Sequence, residues 1–384
     1  MQHIHADECS HSLLIHDRTV LLHESGYREL PPDGMYRADF YHNRLIWRPG
    51  VPLAAPTVQG LRDNGHYKPA RTERLYQTRL GDAEISRVRV TDEREGVAWD
   101  RTTCFLPALP CWVIVDSALA LRAGPRTFGL LWWTTDVLAQ GTGWADTHIA
   151  RIQGWENARN ACLRIITPAV PGQAIQPATE RVRRAFQEET CLAGIWRGHH
   201  AVGRAVNFVT VLWPHPYPVA APAALPTEPA AGPQVEVLPS APAGRGIAVR
   251  LTWQGETRLL TALNDLTAPW LQEEVRPRYT FAQGKTSYGP LTTDAAFAYV
   301  KVSTGSAVGD EASSDSQVGD CSPADSQDKP WAGFINGTRL DYAGQILHAA
   351  PLHSMFQEDR TDLPGVPARF RWESGEPSAP DPVQ

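Results

Sequence analysis

Short runs in which apolar and polar residues alternate, or in which several apolar residues follow one another, recur along nearly the whole chain. They are rich in Val, Ile, Thr and Trp and are bounded by Gly, Pro, Asn and Asp, a composition that favours strands and the turns between them. Such runs cover residues 12–15, 19–23, 43–47, 85–91, 111–116, 127–133 and 207–213, and resume at 247–253, 258–263, 296–302 and 333–336. No long segment sustains an apolar stripe of helical period. Residues 180–189 are the best short helical candidate, and the 32 prolines interrupt the rest. No repeat of solenoid or propeller length is present, so the pattern predicts an all-β fold, a large multi-sheet antiparallel β-sandwich, or supersandwich.

Composition divides this pattern into blocks. Residues 214–240 are dominated by Pro and Ala and read as an extended linker between two β blocks, 1–213 and 241–372. Residues 303–329 are rich in Ser, Asp and Gly, with too little apolar surface to offset the entropy of ordering, and read as a mobile insertion; 373–384 read as a disordered tail. With 384 residues, 42% of them hydrophobic, the chain can bury the core of one large domain or two smaller ones. A formal charge of −6 offers no basic excess for nucleic acid, and no zinc-finger, helix-turn-helix or RNP pattern is present. No stretch approaches the roughly 18 apolar residues of a membrane-spanning helix. The first ten residues are polar and lack the basic start and apolar run of a secretory signal.

The six cysteines have no CxxC spacing, which argues against a zinc ribbon or a thioredoxin-like site. Cys104 and Cys111 could meet across a hairpin or stand as two buried thiols. No GxSxG elbow, P-loop or GxGxxG fingerprint occurs. The His pair in Trp196-Arg-Gly-His-His200 follows no ligand motif and reads as a loop. Trp132, Trp133, Trp144 and Trp155 could stack on sugar rings or build the sandwich core.

The first fifty residues concentrate candidate chemistry: His3, His5, Asp7, His11, His16, His23, Glu24 and His42. Neutral imidazole is a common zinc ligand, and three nitrogen or oxygen donors from adjacent strands can form a tetrahedral site completed by water. His5, His23 and His42 stand at or beside three candidate strands, so a single ion could be held if those strands are neighbours. His3, His5 and Asp7 share one face if their segment is extended. Histidines scattered over solvated strands would give the same spacing.

The run His3-Ile-His5-Ala-Asp7 followed by Ser12-Leu-Leu-Ile15 resembles the opening of the β-domain of heparinase II/III-like polysaccharide lyases. Val20-Leu-Leu-His-Glu-Ser-Gly-Tyr27 resembles that family's second strand, and Tyr41-His42-Asn43 its His-Asn motif. Segments 99–116, 208–215, 294–300 and 334–339 resemble its later strands, so the resemblance covers most of the chain outside the linkers. It implies that His5 and His42 bind a structural zinc ion and that His3 lies near the substrate. His23 stands where the family usually has a carboxylate ligand; the adjacent Glu24 would take that place after a slip of one residue.

The implied reaction is β-elimination on a uronic-acid-containing anionic polysaccharide, a glycosaminoglycan or alginate-like polymer, outside the cytoplasm. Such a reaction needs the substrate carboxylate neutralised and the C5 proton removed by His or Tyr. His3 and Tyr41, with Tyr27 and Tyr36 nearby, are the candidates for proton transfer, and Arg37 and Arg44, with Arg28, for carboxylate binding. Family members carry an α/α toroid before the β-domain, and the resemblance implies that it supplies a further Tyr, His and Asn. Only Met1 and Gln2 precede His3, so the sequence points either to a β-domain that works with a separate toroid or to a non-catalytic carbohydrate-binding or assembly module.

Overall fold

The computed structural model describes residues 8–24, 38–50, 57–62, 70–152, 154–184, 187–218, 232–264, 284–303, 331–335, 339–349, 355–358 and 369–372. Among them there is no α-helix, and therefore none long and apolar enough to cross a membrane. The strands up to Pro216 belong to one compact unit and those from Gln234 to Ala349 to a second.

The first unit holds β1 (Leu13–His16), β2 (Thr19–His23), β3 (Leu45–Pro49), β4 (Arg71–Leu80), β5 (Ala83–Asp92), β6 (Val97–Leu106), β7 (Cys111–Ala120) and β8 (Gly124–Thr134). It continues with β9 (Asp136–Gly141), β10 (Trp144–His148), β11 (Arg151–Ile152), β12 (Trp155–Glu156), β13 (Ala161–Ile166), β14 (Gln176–Arg184), β15 (Gln187–His200) and β16 (Ala205–Pro216). An eight-stranded sheet has the order β4-β5-β6-β7-β16-β13-β10-β9, and a four-stranded sheet the order β14-β15-β8-β3. β1 with β2, and β11 with β12, form separate hairpins. The β5–β6 turn depends on Gly96 at φ +67°, where an added Cβ would also lie 2.5 Å from Arg122 Nε.

The alternation of strand side chains explains why the sequence around β8 is apolar without a break. Phe128, Leu130 and Trp132 face a core shared with Trp99, Ile114, Leu163, Phe208 and Leu212 of the large sheet. Leu131 and Trp133 face the opposite way, into a second core with Ile46, Val182, Cys191 and Ile195 that Phe40, Tyr41, Val58 and Leu61 cover. Each such side chain contributes about 1.5–3 kcal/mol on burial, so β8, buried on both faces, anchors the unit.

The helix expected over residues 180–189 is absent: Glu180–Arg184 end β14 and Gln187–Glu189 begin β15. Burial there alternates, with Val182 and Arg184 inside and Arg181 and Arg183 outside, and Glu180 pairs across the ladder with Cys191. Of the charges in this segment, Arg181 and Arg183 occupy the outer face of a hairpin, whereas Arg184 and Glu189 are buried. The segment Trp196–His200, expected as a loop, is the end of β15 paired with β8, and His200 packs edge-on against Phe128 at 5.0 Å. Cys104 and Cys111 are buried thiols that lie opposite Val113 and Leu106, not opposite each other.

β16 continues through Pro216, into the stretch expected as linker, and the next strand begins at Gln234; residues 219–231 lie outside the described residues, as do 304–330 and 373–384. The second unit contains β17 (Gln234–Pro239), β18 (Gly246–Trp253), β19 (Glu256–Leu263), β20 (Thr286–Tyr288), β21 (Leu291–Thr293), β22 (Phe297–Ser303), β23 (Trp331–Ile335), β24 (Arg339–Tyr342) and β25 (Gln345–Ala349). Its sheets, β17-β18-β19-β22-β23 and β20-β21-β24-β25, share a core of Leu238, Ala248, Leu259, Val300, Tyr288, Leu291 and Leu340.

Candidate functional site

Successive residues of extended chain point to opposite sides, so His23, at the end of β2, and Glu24, just after it, serve different partners. Ser10 Oγ donates to Glu24 Oε1, and His42 Nδ1 pairs with Glu24 Oε2. His23 turns away: its Nδ1 donates to the Glu24 carbonyl at 3.0 Å, and its Nε2 stands 3.0 Å from Glu189 Oε1 in an ion-pair geometry. Both ring nitrogens of His23 therefore face oxygens.

Two buried side chains lock these segments together. Asn43 donates from Nδ2 to the carbonyls of His11 (3.1 Å) and His23 (3.3 Å) and accepts at Oδ1 from the Trp133 amide (2.8 Å). Arg184 donates to the carbonyls of Tyr41 (2.7 Å) and His23 (3.0 Å) and to Glu189 Oε2 (2.6 Å). A third guanidinium supports them from the large sheet. Arg101 grips both oxygens of Asp116 at 2.7 and 3.0 Å and reaches the carbonyls of Cys9 (2.8 Å) and Asn43 (3.0 Å).

The charges respond to this packing. Burial acts to raise the carboxyl pKa of Glu189, but the Arg184 charge and the His23 contact outweigh it and hold it down at about 2. Burial likewise opposes ionisation of Glu24, and the hydrogen bond and charge of His42, with Arg184 and Ser10, bring it below the ordinary carboxylate range. His11 is pushed down to about 3 by burial first and by the Arg101 charge second. Its Nε2 is buried with no hydrogen-bond partner among the described residues, and its ring centroid lies 5.8 Å from that of Trp132.

No protein-family model matches the sequence, and no curated protein does. The fold is similar to heparinase III. One heparinase III structure has a TM-score of 0.42 at 14% identity, over 65% of this chain and 35% of that one. Heparan sulfate lyase HepC from Pedobacter heparinus has a TM-score of 0.42 at 12% identity, over 64% of this chain and 34% of that one. A further heparinase III gene product has a TM-score of 0.43 at 12% identity, with the same coverage of 64% and 34%. The chain thus spans about a third of the length of the structures it matches.

Of the residues expected from sequence, His3, His5 and Arg37 lie outside the described residues, as do Asp7, Tyr27, Arg28 and Tyr36. The structure brings His42 to Glu24 and takes His23 to Glu189. Tyr41 is buried beside Trp133 and Phe40, and Arg44 is buried with its guanidinium 2.8 Å from Glu8 and 5.0 Å from the Trp99 ring centroid. A carboxylate oxygen and an imidazole nitrogen, the donor types that zinc takes, meet at Glu24 and His42. Among the described residues no group of three such donors is gathered. Ser10, Arg184 and Glu189 were not singled out from sequence; the sole signal was Arg184 on the same strand face as the apolar Val182.

Proposed function

We propose that this chain is the β-domain of a polysaccharide lyase that acts by β-elimination on an anionic, uronic-acid-containing polysaccharide together with a helical toroid domain. The observation that carries this reading is the junction of Ser10, Glu24 and His42, which draws together the three separated segments whose motifs resemble the lyase β-domain. Asn43 of the His-Asn motif ties the same three segments through backbone bonds.

Glu24 and His42 are the donors we assign to a structural zinc ion, with His5 as the third; His23, engaged at both nitrogens, supports the site from outside. The ion would supply rigidity to the loops around it. His3 and Arg37 are the assigned acid/base and carboxylate-binding groups. Tyr41 and Arg44, both buried, act by holding the His42 segment in place.

The test is the ultraviolet absorbance of the unsaturated uronate formed when the chain and a toroid domain are incubated with heparan sulfate or alginate. Product that disappears in His3→Ala supports the lyase. Retention of the polysaccharide without product favours the carbohydrate-binding module, a reading that the exposed Trp155 also supports. Neither retention nor product overturns both.

A further inference from the structure

The hairpin of β11 and β12 stands out from the first unit as a two-stranded ribbon that belongs to neither large sheet. Its register sets Ile152 opposite Trp155 and Arg151 opposite Glu156. The ribbon therefore has an aromatic side and a charged side. Trp155 is 80% exposed, the most exposed large apolar side chain of the described residues. Its ring faces are thereby open to a flat apolar surface, such as the face of a sugar ring.

The ribbon is anchored to the site just described. Gln187 Nε2 donates both to the Arg151 carbonyl and to Glu189 Oε1, each at 2.9 Å, and Glu189 is the partner of His23. At the other end Asn157 forms two bonds with the backbone of Val20, accepting from its amide (3.1 Å) and donating to its carbonyl (2.8 Å). Asn160 adds a bond to the Asp17 carbonyl at 2.8 Å. The hairpin is thus fixed to β2, the strand that carries His23, and to β15, which carries Glu189.

We propose that this hairpin is a subsite for an acidic polysaccharide, with the Trp155 indole on one side of the ribbon stacking on a sugar ring and Arg151, on the other side, pairing with a carboxylate or sulfate of a further residue where the polymer crosses the ribbon. The inference rests on the lyase reading of the neighbouring site. An indole with one aliphatic neighbour, Ile152, suits one pyranose ring, whereas a docked protein would need a broad contact surface, on the order of 800 Å² per partner. The exposed charges here, Arg18, Arg151 and Arg159 against Asp17 and Glu156, leave a slight local excess of positive charge. The Arg151 and Glu156 side chains are 66% and 84% exposed and 3.8 Å apart, a loose surface pair in which a ligand anion can take the place of Glu156. Arg18 and Arg159, also exposed, lie on the two segments joined by the Asn160 bond, where Asp17 and Glu156 are the opposing charges.

The experiment is retention of the full chain on immobilised heparan sulfate, with neutral dextran as control, across a salt gradient. Trp155→Ala lowers affinity by about tenfold with little change in salt dependence. Arg151→Ala lowers both affinity and the salt slope, and Glu156→Gln raises affinity. All three residues are exposed, so thermal midpoints stay at the wild-type value and binding changes cannot be ascribed to unfolding. Wild-type retention unaltered in Trp155→Ala overturns the subsite and leaves the lyase reading standing. Failure of wild type to bind any acidic polysaccharide overturns both. Loss in Trp155→Ala of toroid-domain binding, with polysaccharide retention intact, overturns the subsite in favour of a protein-docking hairpin.

Discussion

His23 Nε2 lies 3.0 Å from Glu189 Oε1, with the two side chains 5% and 0% exposed. Glu189 also holds Arg184 at 2.6 Å, so one buried carboxylate meets both the Arg184 guanidinium and the His23 ring. Removing it strands the Arg184 guanidinium in a medium that solvates charge poorly and takes the facing oxygen from His23 Nε2. Glu189→Ala is expected to cost about 3–5 kcal/mol, read as a drop in the urea midpoint at pH 7. A loss below about 1 kcal/mol would mean that water reaches Arg184.

Acidification should weaken the fold in two stages. His11 has a folded value of about 3 against 6.5 for the free side chain, so below 6.5 the unfolded chain takes up a proton that the folded state refuses. Its contribution is complete above 6.5 and shrinks as the pH falls toward 3. Glu189, held at about 2 against 4.5, contributes fully above 4.5 and loses its part as the pH falls toward 2. Between pH 7.5 and 4.5 the His11 share alone amounts to about 3 kcal/mol. His200, lowered to about 4 mainly by burial, acts in the same window, so the difference between wild type and His11→Gln isolates His11. Equal losses in the two proteins would show that His11 is protonated in the fold.

The strands were legible because burial imposes its period on the sequence. Phe128, Leu130 and Trp132 alternate with Gly129, Leu131 and Trp133, and the two cores on either side of β8 account for that run. The Arg184–Glu189 pair was illegible for the converse reason. In sequence the two residues belong to a string of charges that resembles a solvated helix, and their burial follows from the hairpin that turns between them. Which of His23 and Glu24 meets His42 needed coordinates, since alternation says only that the two diverge. Trp155 and Trp133 are equally apolar as letters, yet one is exposed and the other sealed between Phe40 and Tyr41.

Asn43 makes its three side-chain bonds to backbone groups of three separate segments. Asn43→Ala leaves the Trp133 amide without this acceptor inside the core, and should lower stability by about 3 kcal/mol or more. Asn43→Asp keeps the acceptor but forfeits the donor to the carbonyls of His11 and His23, and places a charge where an amide was neutral. It should be no better tolerated than alanine. Thermal melts of the two variants check this, and an aspartate variant as stable as wild type would mean that the two carbonyl contacts add little.

The assignment of Glu24 in place of His23 to the metal separates two effects that most substitutions would blend. Wild type purified in zinc is expected to hold about one ion per chain by elemental analysis. Glu24→Gln and His42→Ala should lose it, and chelation should lower the melting temperature of wild type but not of these variants. His23→Ala is expected to keep the ion while losing stability, because its partner is Glu189. Loss of zinc in His23→Ala together with retention in Glu24→Gln would reverse the assignment. If wild type holds no zinc and is indifferent to chelation, the Ser10–Glu24–His42 contacts form a hydrogen-bonded clasp, and its strength is then measured by the stability lost in Glu24→Gln.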